Sequence, residues 1–190
     1  MNIVVISSKY PPEYSGSGHR CHNTYIRLKS KFNIDYKVLC SSIIYNNCSY
    51  YNYEGVGVYR ISKKYNLKNL FRIKINFINV LLRKVTTLIN IAIESTLTWC
   101  YLIRNYYWMD VIHVFGNVTV TSAAISFAKI TKKPIIIEVV NLVDKIRYYE
   151  PKIISLTWGS GYPKHAKLIA ISNALSEPCK KAGVKKENIW

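Results

Sequence analysis

The fold is decided by Asn2-Ile3-Val4-Val5-Ile6-Ser7 and the segment that follows it, Lys9-Tyr10-Pro11-Pro12-Glu13-Tyr14-Ser15-Gly16-Ser17-Gly18. The β-branched run predicts a buried strand, the two prolines predict a stiff loop, and a helical pattern begins near Gly18. A helix N-terminus presents unpaired N–H groups and the positive end of the helix dipole, and glycines let a backbone approach a ligand closely. This turn therefore predicts a site for an anionic ligand such as a phosphate.

Strand-length apolar runs recur along the chain with helical stretches between them. We expect further strands at 36–41, 55–61, 111–115, 134–140 and 167–172, and helices at 18–31, 67–107, 119–131 and 173–182. This alternation predicts an α/β fold with a doubly wound, mostly parallel, Rossmann-like sheet, whose ligands bind beyond the carboxyl ends of the strands. With 190 residues and 49% hydrophobic content, residues 1–190 are expected to form a single domain.

Basic residues far outnumber acidic ones: 27 Lys and Arg stand against 10 Asp and Glu, which gives a formal net charge of +17. Such a surface attracts polyanions, including nucleic acid, anionic lipid headgroups and phosphorylated small molecules. An AT-rich coding bias also produces a Lys-rich sequence, so the charge does not choose among these partners. Because no helix-turn-helix, RNP or zinc pattern is visible, we do not expect nucleic acid to be the ligand.

Five cysteines are scattered without a Cys-x-x-Cys pair or a His partner at metal-ligand spacing: Cys21, Cys40, Cys48, Cys100 and Cys179. An odd number of cysteines without an export signal predicts free thiols in a reducing compartment. The strand-length run at residues 2–7 differs from a signal peptide. We therefore expect a cytoplasmic protein without structural zinc.

The segment from Lys63 to Arg104 is both basic and apolar. Arg83, Lys84 and Glu94 interrupt its most hydrophobic part, so a membrane-spanning helix is disfavoured. A basic amphipathic helix can instead lie in the interface of an anionic membrane, with its cations on lipid phosphates. The alternative is that the apolar side packs on the sheet while the charges face water. The first alternative would make the protein peripheral on the inner face of the membrane.

Five segments carry a more specific pattern when they are taken in order. They are Pro11-Pro12 with Ser15-Gly16, Gly55-Val56-Gly57-Val58-Tyr59-Arg60-Ile61, Asp110-Val111-Ile112-His113-Val114-Phe115-Gly116-Asn117, Lys133-Pro134-Ile135-Ile136-Ile137, and Ala166-Lys167-Leu168-Ile169-Ala170-Ile171-Ser172. Together they resemble the amino-terminal domain of GT-B glycosyltransferases, the family-4-like enzymes that use nucleotide-sugars and retain anomeric configuration. The segments span nearly the whole sequence.

The resemblance implies half of a two-domain enzyme. This half would bind mainly the acceptor, a glycolipid or a glycan, while a donor-binding carboxyl-terminal domain or a partner chain would bind the nucleotide-sugar. The sequence ends at Trp190 without a counterpart of that second half, so we expect the chain alone to be inactive. The resemblance implies no metal and no cofactor beyond the nucleotide-sugar as co-substrate.

The resemblance also implies roles for a glycine pair and three other residues. Gly16 and Gly18 would let the loop close over the donor phosphate, or they would simply form a turn and a helix start. Arg20 would counter a phosphate, or it would be a solvated arginine. His113 matches a family histidine, or it is a buried histidine bonded to a neighbour. Asn117 would hydrogen-bond a sugar hydroxyl, or it would cap the next helix.

The chain departs from the family at the strand near residue 138. The family commonly has Thr-x-His-Asp there, whereas this chain has Glu138-Val139-Val140-Asn141. Val140 can neither transfer a proton nor donate a hydrogen bond. We therefore take Glu138 and Asp144 as the candidate catalytic carboxylates and Asn141 as a substrate-binding candidate. The alternative for Glu138 is a structural carboxylate bonded to nearby backbone.

Three functions follow from these patterns. The leading one is the acceptor-binding half of an enzyme that moves a sugar from a nucleotide-sugar to a lipid-linked or polysaccharide acceptor. A second is a basic module that binds nucleic acid or a membrane through its charge. A third is a non-catalytic interaction subunit, or one chain of a split enzyme, as Val140 and the missing donor half suggest.

Overall fold

One sheet of seven strands organises the part of the chain that is described. The computed structural model describes residues 1–42, 44–45, 47–61, 76–116, 120–140, 166–181 and 184–190. In chain order the elements are β1 Asn2–Ser7, α1 Gly16–Lys31, β2 Asp35–Ser41, β3 Ser49–Tyr53, β4 Val56–Ile61, α2 Asn76–Arg104, β5 Val111–Phe115, α3 Thr121–Thr131, β6 Ile135–Val139, β7 Lys167–Ala170 and α4 Asn173–Lys181, followed by a 3₁₀ turn at Lys186–Asn188.

The strand order is β3-β4-β2-β1-β5-β6-β7. All neighbouring strands are parallel except β3, which is antiparallel to β4. The order reverses at β1, because the chain adds β2 and β4 on one side of it and β5, β6 and β7 on the other. The predicted doubly wound, mostly parallel sheet is confirmed, and its switch point lies between β1 and β5.

The strand β3 is absent from the sequence-based prediction. It forms a hairpin with β4 in which Tyr53 pairs with Val56 across the two-residue turn Glu54-Gly55. Both turn residues have positive φ, 49° and 79°, which is the geometry of a type I′ turn and matches the twist of the two strands. Glu is an uncommon residue for the first of these positions, so the turn signal is weak in the sequence.

Two apolar clusters cover the two faces of the sheet. On one face, the even-numbered residues Val4 and Ile6 of β1 pack with α2, α3 and α4. On the other face, Ile3 and Val5 pack with Tyr10, Cys21 and Tyr25 from the first loop and α1. This alternation follows from the two-residue period of a strand. Because all strands except β3 run parallel, their carboxyl ends lie together at one edge of the sheet.

Helix α2 packs on the sheet and on α3 through its second half. Ser95 and Thr98 are buried, whereas Val80, Leu81 and Leu88 are 40 to 52% exposed. In the described part of the chain, no helix combines the length and the hydropathy needed to cross a membrane. The predicted helix at 67–107 is described from Asn76 to Arg104, and Lys63, Lys64, Lys68, Arg72 and Lys74 lie outside the described residues.

Candidate functional site

The first turn of α1 is fixed by its N-cap and by the loop before it. The Ser15 backbone is extended, and its Oγ accepts a hydrogen bond from the N–H of Gly18 at 2.9 Å. A Cβ on Gly18 would lie 2.4 Å from the carbonyl oxygen of Lys9, so glycine is required there by the close approach of the loop. A Cβ on Gly16 would meet nothing within 4 Å, which leaves open space beside the helix N-terminus.

Three strand ends meet at this N-terminus. Ser8, which follows β1, shares a 3.0 Å hydrogen bond with Ser17 through the two hydroxyl oxygens. Gly116, which follows β5, has a φ of 73°, and a Cβ on it would lie 3.9 Å from Ser17 and 3.5 Å from Val140 after β6. The carboxyl ends of β1, β5 and β6 are thus brought together against α1 at the switch point, which is where ligands bind in this class of fold.

Arg20 and Glu138 form an ion pair at this edge. Arg20 Nη2 lies 2.5 Å from Glu138 Oε2, although the two residues are 118 positions apart in the sequence. The Glu138 side chain is 9% exposed and the Arg20 side chain is 39% exposed. Arg20 Nε is buried and has no hydrogen-bond partner among the described residues. The two residues predicted as phosphate counterion and catalytic carboxylate therefore contact each other, and the guanidinium keeps unused hydrogen-bonding capacity.

His113 lies in the middle of β5 under α1, away from the strand ends. Its Nδ1 is 2.7 Å from the hydroxyl of Tyr25, within a hydrogen bond, while its Nε2 is buried without a partner among the described residues. Burial lowers the pKa of His113 to about 4, because the charged imidazolium would lose its hydration. The ring is neutral at neutral pH. This position matches the buried-histidine alternative that the sequence left open.

Three buried residues of α1 form a side of the site that the motifs did not single out. Cys21, His22 and Tyr25 share the buried face of the helix with Gly18. Desolvation and the neighbouring Cys21 and Glu138 raise the pKa of Tyr25, so its hydroxyl stays protonated. These four residues follow the i, i+3, i+4, i+7 spacing of one helix face: Gly18, Cys21, His22 and Tyr25. The spacing of this buried face was therefore visible in the sequence.

Polar contacts brace the Pro11-Pro12 loop against the β3–β4 hairpin. Tyr51 donates a hydrogen bond to the Pro11 carbonyl at 2.9 Å, and His22 Nε2 lies 2.9 Å from Glu54. Arg60 is 7% exposed, and its guanidinium lies 3.9 Å from the Tyr45 ring and 4.3 Å from the Tyr51 ring. The motif residue Arg60 thus supports the wall of the site through stacking on aromatic rings.

The structure brings together part of the predicted site. Gly16, Gly18, Arg20 and Glu138 lie at the same edge of the sheet, and His113 lies deeper in the same layer. Asn117, Asn141 and Asp144 lie outside the described residues. Within the described residues, no group of three or more His, Cys, Asp or Glu side chains is placed to hold a metal ion.

Comparison with known proteins identifies the fold. No family model matches the sequence, and a search of curated proteins gives no match. Among solved structures, the apo form of the lipopolysaccharide outer core galactosyltransferase WaaB is similar over 100% of this chain, with a TM-score of 0.56 and 13% sequence identity. This chain spans 44% of the length of that chain. It therefore has a glycosyltransferase-like α/β fold of the GT-B kind.

Proposed function

We propose that this chain forms the acceptor-binding half of a glycosyltransferase that moves a sugar from a nucleotide-sugar to a lipid-linked or polysaccharide acceptor. The observation that carries the proposal is the Arg20–Glu138 pair beside the open N-terminus of α1, on a fold shared with a galactosyltransferase. A cation, a carboxylate and a helix N-terminus are the groups that transfer from a nucleotide diphosphate needs.

In the proposed reaction, an acceptor hydroxyl attacks the anomeric carbon of the donor sugar. The bond between that carbon and the diphosphate oxygen breaks, and the nucleotide diphosphate leaves with the electron pair. The α1 N-terminus, which has no acidic residue in its first turn, and Arg20 stabilise the charge on the leaving diphosphate. Glu138, or Asp144 in its place, accepts the proton of the attacking hydroxyl. The hydroxyl approaches the same face of the sugar that the diphosphate leaves, so the anomeric configuration is retained.

In this proposal, the Arg20–Glu138 ion pair is the arrangement of the site before substrate binds. Arg20 is partly exposed, and its Nε has no hydrogen-bond partner within the described residues, so its guanidinium can turn toward an arriving phosphate and release Glu138 to the acceptor. Neutral His113 and its partner Tyr25 are positioning residues that fill the layer between α1 and β5. The donor nucleotide is bound by a further domain or a partner chain.

The test is sugar transfer by the product of the complete gene, or by the complex that the chain forms with a partner. The assay uses nucleotide-sugars with glycolipid and oligosaccharide acceptors, and NMR of the product gives its anomeric configuration. Glu138→Gln should lower kcat at least about a hundredfold, as expected for a lost general base. Glu187→Gln, at a side chain that is 72% exposed, is the matched control and should leave kcat unchanged.

Two results would refute this function. One is the absence of both sugar transfer and acceptor binding across the donors and acceptors tried. The other is a Glu138→Gln enzyme that is folded and as active as the Glu187→Gln control.

We also propose that the chain works at an anionic membrane surface. The first half of α2 exposes Arg83 and Lys84 beside Val80, Leu81 and Leu88, which are 40 to 52% exposed. Cations beside exposed apolar side chains on one helix favour the interface of an anionic bilayer. Such a location would suit a lipid-linked acceptor.

A further inference from the structure

A second cleft lies on the face of the sheet opposite to α1. It has a volume of about 410 Å³ and is lined by Lys37, Tyr50, Tyr59, Tyr101, Arg104 and Asn105, together with Gly57. Tyr59 packs against the apolar cluster of α2 and α3, whereas Cys21 and Tyr25 belong to the cluster under α1. Lys37 and Gly57 lie toward the amino ends of β2 and β4. Because β6, which carries Glu138, also lies three strands away from β2, the cleft is remote from the Arg20–Glu138 pair.

One wall of the cleft is a stack of three tyrosines. The ring centroids of Tyr50 and Tyr59 are 4.4 Å apart, and those of Tyr59 and Tyr101 are 5.3 Å apart with nearly parallel planes. Tyr101 is 3% exposed and Tyr50 is 64% exposed, so the stack extends from the core to solvent. The wall is therefore rigid, apolar along the rings, and carries hydroxyl groups that can donate and accept hydrogen bonds.

The other wall carries positive charge. Lys37 Nζ donates a hydrogen bond to Asn105 Oδ1 at 3.0 Å and lies 4.1 Å from the centroid of the Trp108 ring. Asn105 is fixed in turn, because its Nδ2 donates to the carbonyl oxygen of Tyr101 at 2.8 Å. Arg104 ends α2 and, like Lys37, forms no ion pair with a carboxylate among the described residues. The cleft thus holds two cations that no carboxylate of the described part of the chain pairs with.

The floor of the cleft is open because of Gly57. Glycine in a strand interior costs stability, and it often marks a place where a ligand approaches the backbone closely. A Cβ on Gly57 would meet nothing within 4 Å, so packing inside the protein does not explain this glycine. Two-residue alternation along β4 puts Gly57 on the same face as Tyr59.

We propose that this cleft binds an anionic sugar. The sugar ring lies over Gly57 against the tyrosine wall, and its phosphate or carboxylate is held by Lys37 and Arg104. The volume is near the lower end of the range for small-molecule sites, so it suits a phosphorylated or uronic acid monosaccharide or disaccharide. The proposal does not depend on the transfer reaction proposed above.

Binding is measured with the chain itself by calorimetry or NMR titration. The four probes are glucose 1-phosphate, glucuronic acid, glucose and inorganic phosphate. We expect one or both anionic sugars to bind at least about tenfold more tightly than glucose and than inorganic phosphate. A preference for one of them distinguishes the phosphate from the carboxylate as the recognised group. Equal binding of glucose, equal binding of inorganic phosphate, or no binding of either anionic sugar would overturn the proposal.

Two substitutions locate the site. Gly57→Val places a side chain on the floor and should weaken binding at least about tenfold, with Gly57→Ala intermediate, while the β-branched residue keeps or raises stability in the strand. Arg104→Gln should weaken binding of the anionic sugars about tenfold. The matched control is Arg27→Gln, an exposed arginine on α1. A folded Gly57→Val chain with wild-type affinity would overturn the proposal; if that variant does not fold, equal affinity of the Arg104→Gln and Arg27→Gln chains would do so.

Discussion

Arg20 and Glu138 form an ion pair in which the carboxylate is almost fully buried and the guanidinium is partly exposed. Removing the cation leaves a buried charge without its partner, which costs more than the loss of an exposed pair. Arg20→Met should lower the free energy of unfolding by about 1 to 2 kcal/mol in urea denaturation, a value reduced for the partial exposure of Arg20. Lys180→Met, in the exposed pair with Glu177, is the control and should cost less than about 0.5 kcal/mol. Equal losses for the two variants would contradict the pairing.

His113 should make stability depend on pH. Its pKa is about 4 in the folded protein because of burial, against about 6.5 in the unfolded chain, so the unfolded chain binds more protons between these values. The contribution of His113 to stability is complete above pH 6.5 and is lost as the pH falls toward 4. Between pH 7.5 and pH 5 this loss is about 2 kcal/mol, and His113→Gln should remove it. Urea denaturation at the two pH values measures the difference.

The exposed His19 provides the control for that measurement. His19→Gln should show the same fall in stability as the wild type between pH 7.5 and pH 5. If His113→Gln also keeps the whole fall, the pH dependence comes from other groups and the buried neutral state of His113 is wrong.

Contacts between distant residues explain why the site was only partly predictable. The sequence motifs placed Arg20 near a helix start and Glu138 in a strand, but their pairing depends on β6 lying next to β5 and on α1 packing over β1 and β5. The sequence left Gly18 as either a ligand-contacting or a turn residue. A glycine is needed there because the Cβ of any other residue would lie 2.4 Å from the carbonyl oxygen of Lys9. Tertiary packing alone supplies these distances.

The first half of α2 gives a prediction for vesicle binding. Arg83 and Lys84 lie beside exposed Leu81 and Leu88, so cations and apolar side chains can enter an anionic interface together. In flotation with anionic vesicles at low salt, Arg83→Gln combined with Lys84→Gln should lower the bound fraction at least about threefold, since each cation near the surface contributes about 1 kcal/mol. Leu81→Ser combined with Leu88→Ser should lower it as well.

The control for flotation removes two charges elsewhere. Lys29→Gln combined with Lys129→Gln, on α1 and α3, makes the same change in net charge and should leave the bound fraction close to that of the wild type. Equal losses for both pairs would mean that overall charge, rather than α2, drives binding. Flotation that none of the variants changes would exclude this part of α2 as the contact.

Most helices and strands were predictable because each parallel strand contains a short run of mainly apolar residues. β1 and β5 were predicted with the observed bounds, and β2, β4 and β6 differ by one residue at their ends, which is within the usual uncertainty of such boundaries. The strand β3 was missed because it lies at the edge of the sheet, where two of its five residues are exposed and the other three are only partly buried. Its Tyr-rich alternation carries little contrast between apolar and polar positions.

The whole molecule presents two separate ligand sites, if both proposals hold. One lies at the carboxyl ends of the strands on the α1 face, and the other lies toward the amino ends on the α2 face. The strand register places Glu138 level with Cys40, three residues or about 10 Å along β2 from Lys37 at about 3.3 Å per residue. β6 also lies three strands away from β2, which adds about 14 Å at about 4.8 Å per strand, and the sheet itself lies between the two faces. Substitutions at such distances, without shared partners, usually act independently.

This separation predicts opposite effects of two substitutions. Glu138→Gln should abolish most sugar transfer by the complete protein while it changes the affinity of the cleft for glucose 1-phosphate or glucuronic acid less than about twofold. Gly57→Val should remove binding in the cleft while transfer to a short, uncharged acceptor continues at the wild-type rate. Because each variant is the control of the other, loss of one property leaves the second proposal intact. A single variant that removes both properties in a folded protein would show that the two sites are coupled through the sheet, and it would contradict their independence.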